Sequence, residues 1–183
     1  MTGERIRPFA LLSPSEEATR ALGRALGLAL SPGAVVLLDG DLGTGKTILV
    51  RGVGDALGVS GVRSPSFTLV NEYQAREGLL LVHADLYRLD AGGAEALGLE
   101  DYLSLYDAAL LVEWPGRWPS PPEDALRIEL RALDEGRRRL LFRPPLGREG
   151  ALNASHAGDV AGKVLAAVRA GGCPDVELLS ESC

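Results

Sequence analysis

Residues 40–47 of the chain, GDLGTGKT, fit the spacing G-x4-G-K-[ST] in full. Gly40 and Gly45 allow backbone angles that a side chain would hinder, so the loop can wrap closely around a phosphate group. Backbone N–H groups at the start of the next helix favour an anion there. Lys46 would reach the β- and γ-phosphates, and the Thr47 hydroxyl would ligate Mg²⁺. The predicted nucleotide-binding residues are Gly40, Asp41, Leu42, Gly43, Thr44, Gly45, Lys46, Thr47 and Ile48.

The use of lysine in this chain supports the same interpretation. The sequence has 17 arginines and only two lysines, Lys46 and Lys163. A chain that supplies positive charge almost entirely through arginine places one of its lysines inside the glycine-rich loop. A compact ammonium group can lie between phosphates as a point charge, which a planar guanidinium does less well.

Two acidic residues could complete a magnesium site. Asp85 ends the apolar stretch LLLVHAD, and Glu113 ends the apolar stretch ALLVE. Open α/β sheets bind ligands at the carboxyl ends of their strands, so both acids are expected to face the phosphates. Asp85 would hold the metal, and Glu113 would hold it or orient the attacking water. The sequence alone leaves these two roles open.

The elements that must position these residues can be read from apolar patterning. AVVLL at 34–38 is a buried strand that enters the loop, and a helix from about residue 46 to 57 leaves it. A helix with Ser13 or Ser15 as its N-cap precedes that strand. Segments 66–76 and 78–89 suit an antiparallel hairpin, and two stretches flanking DEG suit another. The order of elements predicts an α/β domain of three layers with a mixed sheet.

The 183 residues are predicted to form a single domain over 1–170, followed by a flexible tail over 171–183. A net charge of −6 argues against tight, independent binding to RNA or DNA. No apolar run approaches the length of a membrane span, and we expect a soluble, cytoplasmic protein. Cys173 and Cys183 are expected to be free thiols because a structural disulfide would pin the body of a fold.

Four segments together, GDLGTGKTILVRG, SPSFTLVNEY, HADLYRL and LVEWP, resemble the TsaE family in their order and spacing. The resemblance covers about residues 10–145. It implies a P-loop nucleoside triphosphatase fold with a mixed, mostly parallel central sheet, and an ATPase that uses Mg²⁺ and yields ADP. It also implies two partners: TsaD, which transfers a threonylcarbamoyl group to an adenosine of tRNA, and TsaB, its scaffold. ATP turnover would reset that complex, and contact with tRNA would be only indirect.

The resemblance also assigns roles to individual residues. Lys46 and Thr47 match the family's phosphate-binding lysine and metal-binding threonine, and Asp85 and Glu113 match its acids near the metal. Ser66 lies in a switch-like stretch where the family usually has threonine; its hydroxyl could still sense the γ-phosphate or the metal. Glu16 matches a position near the adenine.

Three further features have competing interpretations. Trp114 could stack on the nucleotide or a partner, or be a half-buried aromatic at a strand end. His83, within an apolar strand, is expected to be a core histidine rather than a metal ligand. Arg137, Arg138 and Arg139 could belong to a kinase lid or an RNA-binding patch, but at the start of a hairpin strand they are expected to be solvated.

Two other functions remain open on the sequence. A small-molecule kinase of the P-loop type would need an arginine-bearing lid, for which the loop PGRWPSPP is the only candidate. A GTP-dependent switch would need a guanine-reading N-K-x-D motif, which the sequence lacks.

Overall fold

The computed structural model describes residues 6–105, 107–145 and 156–180. Within them, one sheet holds eight strands in the order β3-β4-β5-β2-β6-β7-β1-β8. The strands are β1 (Phe9–Ser13), β2 (Val35–Asp39), β3 (Val70–Gln74), β4 (Leu80–Asp85), β5 (Ala108–Glu113), β6 (Leu126–Ala132), β7 (Arg138–Arg143) and β8 (Glu177–Leu179). The helices are α1 (Glu16–Ala29), α2 (Lys46–Ala56), α3 (Ala91–Glu95), α4 (Leu99–Leu103) and α5 (His156–Arg169).

The centre of the sheet is parallel and its flanks are antiparallel. Strands β4, β5, β2 and β6 run parallel to one another, whereas β3, β7 and β8 run against their neighbours. Because β1 is antiparallel to β7, it shares the direction of the central four. The predicted mixed, mostly parallel sheet with antiparallel hairpins is therefore confirmed.

Helices cover both faces of the sheet, which confirms the predicted three layers. On one face, α1, α2 and α5 pack over a core that includes Leu22, Leu49 and Val164. On the other face, α3 and α4 contribute Ala94 and Leu99 to a second core. Strand β5 is buried at every position because it lies between the two layers.

Helix α1 fixes the position of α2, the helix that follows the glycine-rich loop. Ser15 is the N-cap of α1, and its hydroxyl accepts a hydrogen bond from the backbone N–H of Ala18 at 3.1 Å. Gly23 and Gly52 bring the two helix backbones into contact; a methyl group on Gly52 would lie 2.8 Å from the α-carbon of Gly23. The bidentate pair of Arg20 with Asp55 adds two hydrogen bonds, at 2.6 and 2.8 Å.

Two element boundaries differ from the sequence predictions. Strand β3 begins at Val70 rather than near residue 66, because Leu69 has a left-handed backbone with φ of 65°. The prediction of a flexible tail from residue 171 does not fit residues 177–179, which form β8. These residues pair with β1, whose outer edge would otherwise leave backbone hydrogen-bonding groups unpaired.

Some predictions fall on the part of the chain that is not described. Residues 151–155 of the expected C-terminal helix, residues 181–183 of the tail, and Cys183 lie outside the described residues. Cys173 is a free, buried thiol, as expected. Within the described ranges, none of the helices is both long enough and apolar enough to cross a membrane.

Candidate functional site

The glycine-rich loop connects β2 to α2 and has the backbone conformation that its glycines were expected to provide. Gly40, Gly43 and Gly45 have φ values of 140°, 78° and 100°. A side chain on Gly40 would collide with the carbonyl oxygen of Leu130 on β6, so the loop needs glycine there for space as well. Gly45 is the N-cap of α2, and the loop therefore leads directly into the N-terminus of that helix.

Lys46 turns back into the loop and is only 4% exposed. Its Nζ donates hydrogen bonds to the carbonyl oxygens of Gly40 and Asp41, at 2.7 and 2.9 Å. Burial lowers the pKa of the ammonium group, because removing water disfavours the charged form. Nearby carboxylates oppose that effect; they belong to Glu113, Asp85, Asp39 and Asp41.

Thr47 and Glu113 meet directly. The Thr47 hydroxyl donates a hydrogen bond to Oε1 of Glu113 at 3.1 Å. A hydroxyl that donates its proton to a carboxylate keeps its oxygen lone pairs for another partner, such as a cation. Glu113 is 3% exposed, so this carboxylate belongs to the floor of the site rather than to its rim.

Asp85 lies beside Glu113 but has different partners. The two residues are paired in the parallel register of β4 and β5. Ser66 donates to Oδ2 of Asp85 at 2.9 Å, and the backbone N–H of Tyr87 donates to Oδ1 at 3.0 Å. The hydroxyl of Ser64 lies 2.6 Å from that of Ser66, so the segment before β3 is connected to the Asp85 carboxylate.

Trp114 follows Glu113 in a left-handed conformation, with φ of 61° and ψ of 50°. Non-glycine residues adopt this conformation at a cost, and such residues concentrate at functional sites. The turn brings the indole ring of the half-buried Trp114 over the ammonium of Lys46, with the centroid 4.5 Å from Nζ. The centroid of the Tyr87 ring lies 4.8 Å from that of the Trp114 ring.

The donors at this site suit a magnesium ion that is shared with a substrate. Among the described residues, no group of three or more His, Cys, Asp or Glu side chains could hold a metal alone. Mg²⁺ commonly takes one or two protein oxygens and completes its octahedron with phosphate oxygens and water. Thr47, Glu113 and Asp85 supply hard oxygen donors beside the loop, and their surplus of negative charge favours a divalent cation.

The other predicted residues lie around this centre. Thr44 is buried and its hydroxyl donates to the Asp41 carbonyl oxygen at 2.9 Å. Ile48 is half-buried, whereas Leu42 is exposed on the outside of the loop. Glu16, which is exposed, is 3.5 Å from Nη2 of Arg138.

The expectation that Arg138 is solvated was wrong. Arg138 is 5% exposed, and its Nε would lie 2.7 Å from a methyl group placed on Gly45. Strand alternation could have found it, because Arg138, Leu140 and Phe142 share the buried face of β7. The same period places His83 on the face of Asp85, where its Nε2 lies 3.0 Å from Oε1 of Glu113. His83 is a buried histidine, as expected, but it contacts the site.

Comparison with known proteins gives a consistent match. The model of the family "Threonylcarbamoyl adenosine biosynthesis protein TsaE" matches residues 13–140. A Nostoc sp. protein named tRNA threonylcarbamoyladenosine biosynthesis protein TsaE is 41% identical over 134 residues, which are 70% of this chain and 82% of the relative. The Bacillus subtilis protein of the same name is 35% identical over 129 residues, covering 69% and 79% of the two chains.

A solved structure has the same fold. The crystal structure of Bacillus subtilis YdiB superposes with a TM-score of 0.65 and 25% sequence identity, covering 90% of this chain and 98% of that one. The matched region of the family model contains the loop, both strand-end acids and the switch-like serines. The chain therefore belongs to the TsaE family.

Proposed function

We propose that this chain binds ATP with Mg²⁺, hydrolyses it to ADP, and uses this turnover in the biosynthesis of threonylcarbamoyladenosine on tRNA. The pathway is the one in the names of its relatives. The family resemblance adds TsaD and TsaB as the partners whose complex the hydrolysis would reset. A net charge of −6 fits a protein that reaches tRNA through partners rather than directly.

The observation that carries this proposal is the contact between Thr47 and Glu113 at the start of α2. It brings a hydroxyl from the phosphate-binding loop and a strand-end carboxylate to one place, beside the buried ammonium of Lys46. A glycine-rich loop alone would explain binding of an anion. The added carboxylate could help to hold Mg²⁺ and to orient the attacking water, as hydrolysis of a metal-bound triphosphate requires.

Each residue would have a separate task. The backbone N–H groups of the loop and Lys46 would bind the phosphates, and the Thr47 oxygen would ligate the metal. Mg²⁺, when bound, would neutralise charge that develops on the phosphate oxygens. Glu113 would orient Thr47 and accept from metal-bound or attacking water, and Asp85 would act through water or directly on the metal. Trp114 would cover the ammonium of Lys46 from solvent.

The neighbouring elements suggest how nucleotide state could be transmitted. Ser66 connects Asp85 to the segment of residues 64–69, which carries the exposed ring of Phe67 at its surface. A change in the ligands of Asp85 would therefore alter a segment that a partner can contact. Glu16, which the resemblance places near the adenine, is connected to the loop through Arg138.

Nucleotide hydrolysis by the purified chain tests the proposal. Turnover is measured with ATP and with GTP, with Mg²⁺ and with EDTA, alone and with TsaB–TsaD. We expect slow, Mg²⁺-dependent ATP hydrolysis that depends on TsaB–TsaD. Phosphate transfer to an added small acceptor would instead support a kinase, and preference for GTP would support a switch. Absence of Mg²⁺-dependent ATP binding in calorimetry, with and without the partners, would refute the proposal.

A further inference from the structure

His83 lies under the candidate site and is completely buried. It is two residues before Asp85 on β4, so the two side chains project from the same face of the strand. On the neighbouring strand, His83 pairs with Leu111, two residues before Glu113. The imidazole therefore lies diagonally across from the Glu113 carboxylate, which is two residues further along the neighbouring strand.

Two donors converge on one oxygen of Glu113. His83 Nε2 lies 3.0 Å from Oε1, and the Thr47 hydroxyl donates to the same Oε1 at 3.1 Å. Together they restrict rotation of the carboxylate, which could otherwise swing about its terminal torsion. The second oxygen, Oε2, is not used in either contact, and its direction is set by the two bonds to Oε1.

The surroundings of the ring define its tautomer. The other nitrogen, Nδ1, is buried and has no hydrogen-bond partner among the described residues. A carboxylate accepts hydrogen bonds, so Nε2 must be the donor and must carry the hydrogen. A second N–H at Nδ1 would be buried without an acceptor, which is costly. The geometry therefore places the ring hydrogen that faces Glu113 on Nε2.

Packing of the core alone does not explain why position 83 is a histidine. Its neighbours on the same face of β4 and β5, Leu81 and Leu111, are aliphatic and equally buried. An aliphatic side chain at 83 would leave no unpartnered nitrogen. The directed bond to Glu113 is what an aliphatic residue could not provide.

We propose that His83 is a positioning residue, whose Nε2–H holds the Glu113 carboxylate in the orientation that Thr47 and a metal ion require. This inference rests on the proposed function, in which Glu113 acts at the magnesium site. His83 would act through Glu113 rather than by its own contact with nucleotide or metal. Groups that orient the ligands around a metal typically change metal affinity by about 10- to 100-fold when they are removed.

Three variants separate positioning from packing. His83→Gln keeps an N–H donor at a similar reach, and His83→Leu keeps approximate volume but removes the donor. Val82→Ala, on the opposite face of β4 and in the other core, is the control for lost stability alone. Thermal melting of each variant gives the stability against which binding is compared.

The measurement is calorimetric affinity for a non-hydrolysable ATP analogue, in Mg²⁺ and in EDTA. We expect His83→Leu to lose about 10-fold or more of affinity in Mg²⁺ and about 2-fold or less in EDTA. His83→Gln and Val82→Ala should keep the wild-type response to Mg²⁺. A wild-type response in His83→Leu, or equal loss in His83→Gln and His83→Leu, would overturn the positioning role alone. A wild-type chain without any response to Mg²⁺ would overturn the proposed function and this inference with it.

A spectroscopic measurement tests the hydrogen bond without any nucleotide. Long-range ¹H–¹⁵N spectra report which nitrogen of a histidine ring carries hydrogen, and the chain has only two histidines, so His83→Gln assigns the signals. We expect the Nε2–H form in the wild type and a shifted Nε2 signal in Glu113→Gln. An Nδ1–H form, or a signal that does not respond to Glu113→Gln, would contradict the proposal.

Discussion

The guanidinium of Arg138 on β7 packs against Gly45 of the glycine-rich loop. A methyl group on Gly45 would lie 2.7 Å from Arg138 Nε and 3.0 Å from Cδ. Nη1 of the same arginine donates to the Gly136 carbonyl oxygen at 2.8 Å. The arginine is therefore anchored by the β6–β7 turn, and its packing limits what residue 45 can be.

Replacing Gly45 with alanine should weaken nucleotide binding. The alanine would need a φ of 100°, which L side chains rarely adopt, and would displace Arg138. We expect ATP affinity to fall by about 10-fold or more, measured by calorimetry, if the loop must keep its shape to bind phosphate. Gly92→Ala is the control, because that glycine lies in α3 with an ordinary φ and space for a methyl group. Equal affinity in both variants would show that the loop tolerates a side chain.

Lys46 and Lys163 are the two lysines of the chain and make a matched pair of variants. Lys46→Ala removes the ammonium that bonds to Gly40 and Asp41 and should abolish productive ATP binding. Lys163→Ala removes an exposed ammonium that pairs with Asp159 on α5 and should leave binding unchanged. Hydrolysis rates and calorimetry check both. Turnover at the wild-type level in Lys46→Ala would mean that the phosphates bind elsewhere.

The two strand-end acids can be tested by alanine substitution. Asp85→Ala and Glu113→Ala should each lower the rate of ATP hydrolysis by at least about 10²-fold if these acids position metal or water. Single-turnover and steady-state rates at several Mg²⁺ concentrations would measure the loss, with Glu95→Ala on α3 as an exposed acidic control. Normal turnover in both site variants would place the metal site somewhere else.

The hydrogen bond between Tyr102 and Glu72, at the edge of the sheet, predicts that stability depends on pH. Its hydroxyl donates to Glu72 on β3, and this bond raises the pKa of Tyr102 to about 12. Because the neutral phenol is favoured in the fold, the stabilisation is present below the unfolded pKa of about 10 and is lost as pH rises toward 12. In Glu72→Gln, absorbance titration of the phenolate should give a pKa nearer 10.

Denaturant titrations of the same variant complete that test. The stability difference between wild type and Glu72→Gln should shrink between about pH 10 and 12, since only the wild type loses this contribution. Tyr102→Phe identifies the titrating group in the absorbance signal. A phenolate titration that is the same with and without Glu72 would exclude the hydrogen bond as its cause.

Features that depend on residues close together in the chain could be predicted from the sequence, whereas contacts between distant residues could not. The loop at 40–47 and the buried strands that end at Asp85 and Glu113 are local patterns, and they are in the expected order. The contact of Thr47 with Glu113 spans 66 residues, and only the sheet order brings β5 beside β2. Sequence alone therefore predicted that both acids end buried strands, as they do, but it did not divide their proposed tasks.

The errors have the same origin. Arg138 belongs to a run of three arginines that resembles a solvated surface, and its burial depends on β7 pairing with both β1 and β6. Likewise, β8 has only three residues and a weak apolar pattern, so its place is set by the open edge of β1. Each case depends on a partner strand that is distant in the chain.

The contact between Gly23 and Gly52 leads to a prediction about stability. A methyl group on Gly52 would meet the carbonyl oxygen of Arg20 and the α-carbon of Gly23, and both belong to the backbone of α1. Backbone cannot rotate away as a side chain can, so the helices would have to separate. We expect Gly52→Ala to lower the free energy of unfolding by about 1–3 kcal/mol, as overpacking does elsewhere, even though alanine favours helix.

The same variant should also affect the site, because α2 begins at Lys46 and moves as a unit with its N-terminus. Displacing α2 from α1 would shift Thr47 relative to Glu113, which is held by the sheet. Urea unfolding would measure the stability, and calorimetry with a non-hydrolysable ATP analogue would measure the site, with Gly92→Ala as the control. A loss of stability with unchanged affinity would show that α2 can move without disturbing the loop. A Gly52→Ala variant as stable as the wild type would mean that the two helices are not in the contact described.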